Sequence, residues 1–188
     1  MNKETSRMSE KTRVGGNMEE RDFVDKNRKP MGETTTEESK IAEGKYIQIV
    51  IICMENHKKE FLIQKRAQKK NGKWALTGGH VISGEESVHA ILREVQEELG
   101  LQLEEEKIEF VFSKRAYDCF VDIYYTKKEV ELLNLKLEKE EVETVKWMSL
   151  EEIKTWREKN LFLDYHYDCL QECIYFLEKI AEGEKENV

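Results

Sequence analysis

Residues 79–101, GHVISGEESVHAILREVQEELGL, constrain this chain most, because they commit a loop, a helix and a stop in one short run. Glu94, Glu97 and Glu98 fall at i, i+3 and i+4, so a helix places all three carboxylates on one side. Val88, Ile91, Leu92, Val95 and Leu99 repeat at helical spacing on another side, roughly 120° away at 3.6 residues per turn. One face suits a core and the other gathers negative charge. Each like-charged neighbour pair costs a few tenths of a kcal/mol. A hard divalent cation such as Mg²⁺ would turn that penalty into a binding site, because it prefers carboxylate oxygens. Ser83 and Glu86 have capping-box spacing, which predicts a helix beginning there, and Gly100 supplies a left-handed stop.

The same stretch resembles the Nudix box, G-x5-E-x7-R-E-U-x-E-E-x-G-U, where U is a bulky aliphatic residue. Gly79, Glu85, Arg93, Glu94, Val95, Glu97, Glu98, Gly100 and Leu101 fill every fixed position. A solvated acidic helix in a Glu-rich chain accounts for Glu97 and Glu98, but not for the arginine, the glycines and Glu85 in register. The resemblance implies an α+β protein with the Nudix fold, an α/β/α sandwich around a mixed β-sheet. It covers residues 41–182, or 19–182 with an N-terminal hairpin and linker over 19–40 that is similar to the isopentenyl-diphosphate isomerase branch.

Composition sets bounds that agree. At 188 residues with 39% hydrophobic content, one domain over 19–188 is the default. The formal net charge is −8, and residues 1–40 carry nine basic and nine acidic side chains, so the whole deficit lies in 41–188. A net-acidic domain is a poor partner for a nucleic-acid polymer. An acidic protein acting on an anionic substrate needs a metal between them. No run approaches the ~18 apolar residues of a membrane helix, and the N-terminus lacks an apolar signal core. Cys53, Cys119, Cys169 and Cys173 are too few and too irregularly spaced for a disulfide framework, which points to a cytoplasmic home.

Taken in order, residues 1–18 are polar and expected to be a disordered tail, within which Met18 is an alternative start. Residues 19–35 predict strand, Asp-Lys-Asn-Arg turn and strand. Residues 46–54 predict a strand buried on both faces, with Cys53 a small core residue, and 60–66 the next strand. The glycines of Thr77-Gly78-Gly79 are expected to allow φ > 0 and close approach of a ligand. Strands follow at 108–115 and 118–127, with Phe120, Ile123 and Tyr125 inward. An acidic lead at 138–141 precedes a strand and a helix at 150–158 that resemble the segment closing the Nudix fold. The final helix, 164–182, turns Leu170, Ile174, Leu177, Ile180 and Ala181 inward. His166, Cys169 and Cys173 share a stripe of it, but no second His/Cys cluster completes a zinc shell, so buried thiols are the better reading.

What the resemblance implies chemically is hydrolysis of a pyrophosphate linkage in a nucleoside diphosphate derivative or similar small molecule. Glu94, Glu97, Glu98 and the Gly79 carbonyl would hold Mg²⁺, with Mn²⁺ as a substitute. Glu94, Glu97, Glu98, Arg93 and Glu141 are the catalytic candidates, with Glu140 second to Glu141 as an added ligand or base. Arg93 would pair with a neighbouring carboxylate and Glu85 would anchor the loop. Arg66 and Trp74 are the candidate substrate contacts, and family members often form homodimers. Two other readings stay open. An isomerase of isopentenyl diphosphate uses a cysteine immediately before the Gly-His pair, where this chain has Gly78 before Gly79-His80. A Nudix-fold module that binds nucleotides without turnover usually lacks box carboxylates, all of which are present here.

Overall fold

Ile47–Glu55 alternates its side chains between two apolar surroundings, which is why it reads as an unbroken hydrophobic run. Val50, Ile52 and Met54 enter one core and Ile51 and Cys53 the other. A strand buried on both faces must lie inside a sheet covered on both sides. A computed structural model of the chain describes residues 13–14, 17–36 and 41–186. Its strands are β1 (Arg13–Val14), β2 (Asn17–Met18), β3 (Arg21–Val24), β4 (Pro30–Thr35), β5 (Ile47–Glu55), β6 (Phe61–Arg66), β7 (Trp74–Ala75), β8 (Thr77–His80), β9 (Glu109–Ala116), β10 (Cys119–Lys127) and β11 (Val142–Met148). Three helices accompany them, α1 (Ser87–Leu99), α2 (Leu150–Glu158) and α3 (Asp164–Glu186).

The main sheet runs β11-β6-β5-β10-β9, with β5 parallel to β10 and the other neighbours on this path antiparallel. It is a mixed sheet, as expected. It also forks: β5 and β6 pair only at Glu55 and Phe61, after which β8 takes the free edge of β5 and β7 that of β6. Helix α1 covers one face through Ala90, Ile91, Val95 and Leu99, which meet Val50, Ile52, Leu62 and Tyr124. Helices α2 and α3 cover the other through Ile153, Cys169, Leu170 and Cys173, which meet Ile51, Cys53, Ile63 and Ile123. Each fully buried aliphatic side chain contributes roughly 1.5–3 kcal/mol. Phe120, Ile123 and Tyr125 are buried, and all four cysteines are free thiols.

The N-terminal hairpin forms where the sequence predicts it, as β3 paired with β4. Asp25 shapes its turn by accepting the Asn27 and Lys29 amides at 2.7 and 2.9 Å. A bridge between Val24 and Tyr46 joins the hairpin to the body. The tail expectation for 1–18 falls mostly outside the described residues, although β1 and β2 pair within it. No described helix is long and apolar enough to cross a membrane.

Three expectations are corrected. The helix begins at Ser87 rather than near Ser83, with Glu86 as an N-cap that makes no side-chain bond, because the Ser83 hydroxyl is taken by Asp22. Gly78 and Gly79 do not adopt positive φ; they are strand residues whose missing side chains leave room for neighbours. Along α3, Ile180 is 52% exposed and Ala181 is also exposed, whereas the buried stripe is Cys169, Leu170 and Cys173.

Gly100 ends α1 at φ +64°, and a methyl group there would sit 2.7 Å from Lys136 Cβ and 3.0 Å from its carbonyl oxygen. Gly44 has φ +84° with nothing within 4 Å. Left-handed backbone costs a non-glycine residue about 1 kcal/mol or more, and crowding adds to that. Urea denaturation should therefore show Gly100→Ala losing about 2–3 kcal/mol against about 1 for Gly44→Ala.

Candidate active site

The box helix presents its polar face to the fork in the sheet. Gly79 on β8 passes so close to α1 that a Cβ added there would lie 2.2 Å from the Glu94 carboxyl carbon. Gly78 is equally confined, since its Cβ would lie 2.2 Å from the Val50 carbonyl oxygen. Backbone holds the space at Gly78, and the end of the Glu94 side chain holds it at Gly79.

Arg93 sits at the centre. Its Nε and one terminal nitrogen donate to the two Glu85 oxygens, each at 3.0 Å. The same terminal nitrogen donates to the His80 carbonyl at 2.8 Å. The other donates to Glu94 Oε1 at 2.9 Å and Glu97 Oε2 at 3.0 Å. Burial works against the charge on Arg93, but its bonds to Glu85 and the fields of Glu94, Glu85 and Glu97 more than offset this and raise its pKa. Glu97 stays 37% exposed, while Glu94 is largely covered.

Glu98 points elsewhere. Its Oε2 accepts from Gln64 Nε2 at 2.8 Å, and Gln64 Oε1 accepts from the Thr77 hydroxyl at 3.0 Å. Burial is the largest cause raising the Glu94 pKa to about 7, from its ordinary 4.5, against the pull of Arg93. Burial likewise lifts Glu98 to about 8, helped by the charges of Glu94 and Glu141 and opposed by the Gln64 bond and Arg66. The two carboxyls lie within electrostatic reach of one another, with Arg93 bonded to the first and Gln64 to the second.

Arg66, at the end of β6, is half-buried and donates through Nε to the Lys70 carbonyl at 3.2 Å. Glu141 is 16% exposed, lies 3.2 Å from Lys70 Nζ, and bears on Glu98. Glu140 is 75% exposed and paired outward with Lys69. Of the two acidic candidates ahead of β11, the structure thus brings Glu141 to the box. Trp74, expected as a substrate contact, is a correction: it is 8% exposed and packs edge-on against Trp156 at 5.1 Å.

Gln64, Thr77 and Glu19 escaped the sequence reading. Gln64 is a buried polar residue directly after the buried apolar Phe61, Leu62 and Ile63, and that pattern is the signal that marks it. Glu19 gave no signal, because only folding brings it near Arg93 and Glu97. Burial is the main cause raising its pKa.

The donor set suits a hard cation. Glu94 and Glu98 are carboxylates whose burial leaves them wanting a counter-charge, and carboxylate oxygens are what Mg²⁺ prefers. Among the described residues no three His, Cys, Asp or Glu side chains converge at ligand spacing, since Arg93 engages Glu94 and Glu97 while Gln64 engages Glu98. The chemistry fits, with the oxygens already partnered by donors that a cation would have to displace or share.

Comparison with known proteins agrees with this arrangement. A model of the NUDIX domain matches residues 45–167. A Nudix hydrolase of Listeria monocytogenes is 35% identical over 154 residues, covering 80% of this chain and 91% of its own length. The crystal structure of DR0079 from Deinococcus radiodurans superposes with a TM-score of 0.68 at 18% identity, over 82% of this chain and 99% of that one. A MutT protein from Methanosarcina mazei superposes with a TM-score of 0.53 at 26% identity, over 69% of this chain and 94% of that one. With the complete box, the mixed sheet and these likenesses together, the chain belongs to the Nudix hydrolase family, whose members act on pyrophosphate bonds.

Proposed function

We propose that this protein is a divalent-cation-dependent pyrophosphohydrolase cleaving the P–O–P linkage of a nucleoside diphosphate derivative or a comparable small diphosphate. The observation that carries the reading is the Arg93 fork holding Glu94 and Glu97 beside Gly79, with the largely covered Glu98 within electrostatic reach of Glu94, Glu141 and Arg66. Glu94, Glu97 and Glu98, with the Gly79 carbonyl, would hold Mg²⁺ or Mn²⁺, which when bound screens the phosphates and acidifies water. Arg66 contributes a fixed positive charge for a phosphate oxygen. Arg93 keeps the carboxylates in place through its fork. Glu141, within electrostatic reach of Glu98, is the group suited to take the proton from the attacking water. The free thiols accord with a reducing compartment.

The isomerase alternative meets a steric obstacle. The position that would need a thiol is Gly78, where a side chain would collide with the Val50 carbonyl.

A diphosphate panel with Mg²⁺ or Mn²⁺ tests the proposal, read as release of phosphate or nucleoside monophosphate. Glu98→Gln is expected to lower kcat by about 10²-fold or more while the protein remains folded. Turnover that is equal without metal, or undiminished in Glu98→Gln, would overturn it. Gly79→Ala should fail for a different reason, losing about ten-fold or more in metal affinity as the methyl evicts Glu94.

Burial also sets a pH dependence. Glu94 and Glu98 hold protons in the folded state up to about 7 and about 8, whereas the unfolded chain releases them near 4.5. Between those limits the unfolded state binds fewer protons, so stability falls as pH rises. Thermal melts of the metal-free protein should therefore decline from about pH 5 to pH 8. The decline should shrink in Glu98→Gln or on adding Mg²⁺.

A further inference from the structure

The N-terminal hairpin docks against the box loop through polar contacts that the box itself does not contain. Ser83 Oγ donates to Asp22 Oδ1 at 2.7 Å, and the Gly84 amide donates to Asp22 Oδ2 at 2.9 Å. The Ser83 amide donates to the Glu20 carbonyl at 2.7 Å. These bonds fasten the loop just where it reverses, at Gly84 with φ +78°.

Glu85 lies on the far side of that reversal. Its amide donates to the Ile82 carbonyl at 3.1 Å, and its carboxylate accepts the Ile82 amide at 3.3 Å. The same carboxylate receives the Arg93 fork, and Arg93 in turn holds Glu94 and Glu97. An unbroken series of hydrogen bonds and chain neighbours therefore leads from the hairpin to the carboxylates. A shift of Ser83 and Gly84 would move Glu85, swing the guanidinium and alter how Glu94 and Glu97 present their oxygens.

The geometry points to Asp22 as a positioning residue for the hydrolytic site, acting through Ser83 and Gly84 on Glu85 and Arg93. The inference rests on the hydrolase reading for the reaction concerned, but the placing of the oxygen donors is tested separately. Supporting contacts of this kind typically change metal affinity or activity by about 10–100-fold.

The test uses the full chain carrying Asp22→Ala, Asp22→Asn or Thr34→Ala, with Mn²⁺ alone as the binding probe, followed by electron paramagnetic resonance. Thr34 pairs with Asp22 across the same hairpin and its hydroxyl donates to Glu20 at 3.3 Å, so it reports on the hairpin rather than on the bond to the loop. Asp22→Ala should weaken Mn²⁺ binding and lower kcat, each about ten-fold, with KM within about two-fold of the parent. Asp22→Asn keeps an acceptor for the Gly84 amide and a donor for the Ser83 hydroxyl, so it should stay within about three-fold. Thr34→Ala should match the parent.

Unchanged Mn²⁺ affinity and kcat in Asp22→Ala would overturn the proposal. Equal losses in Asp22→Asn would overturn it too, by assigning the effect to charge, and losses in Thr34→Ala would assign it to hairpin stability. A parent that binds no Mn²⁺ also overturns it. If Asp22→Ala does not fold, Ser83→Ala cuts the same contact from the loop side and is judged by the same criteria. A parent that binds Mn²⁺ but turns over no diphosphate sinks the hydrolase reading alone, because the Mn²⁺ comparison still decides the role of Asp22.

Discussion

Arg93 carries one positive charge and reaches three carboxylates and a carbonyl at 2.8–3.0 Å, so it sets the electrostatic balance of the polar face of α1. Without it, Glu85, Glu94 and Glu97 would confront one another with little solvent to screen them. Glu98 is instead bonded, among the described residues, to the neutral amide of Gln64. Burial and the charges of Glu94 and Glu141 push Glu98 up, whereas in Glu94 the effect of burial is opposed by Arg93. One guanidinium compensates part of the cluster, and the remainder is left for a cation.

The sheet makes this arrangement possible by forking. Because β5 and β6 separate after one pair, β8 brings Gly79 beside α1 while β6 brings Gln64 and Arg66 to the same end. Thr77 and Gln64 link the two branches by a hydrogen bond, and Gln64 continues to Glu98. The apolar residues beneath hold α1 against the sheet, so the carboxylates stand on a packed support.

Much of this was legible, for local reasons. Spacing within a helix decides which side chains share a face, so Glu94, Glu97 and Glu98 could be grouped without coordinates. The nearly unbroken apolar run of β5 announced a covered sheet, and the Asp25 turn announced the hairpin. What stayed hidden depends on partners distant in sequence. Ser83 looked like a helix cap until Asp22, 61 positions away, claimed its hydroxyl. Gly78 and Gly79 read as residues allowing positive φ and close approach to a ligand, whereas what lies against them is the Val50 carbonyl and the Glu94 carboxylate. Trp74 precedes the box in sequence, yet its ring belongs to the layer under α2. Ile180 kept helical periodicity, yet it is 52% exposed.

Asp122 shows how the start of α1 is tied to the rest. It is buried on β10, where it accepts both terminal nitrogens of Arg28 at 2.6 and 2.7 Å and the Ser87 hydroxyl at 2.6 Å. Burial alone would raise its pKa, but the bonds from Arg28, Ser87 and Ser113 prevail and lower it. Arg28 and Asp122 are 94 positions apart, and β10 reaches β5 only by a parallel crossover. Such long-range contacts close late in folding, because the entropy of the intervening chain must be lost first. During synthesis the whole motif is therefore made before the strand that anchors its helix. A nascent chain ending before β10 would carry every signature residue of the family and still have no assembled pocket.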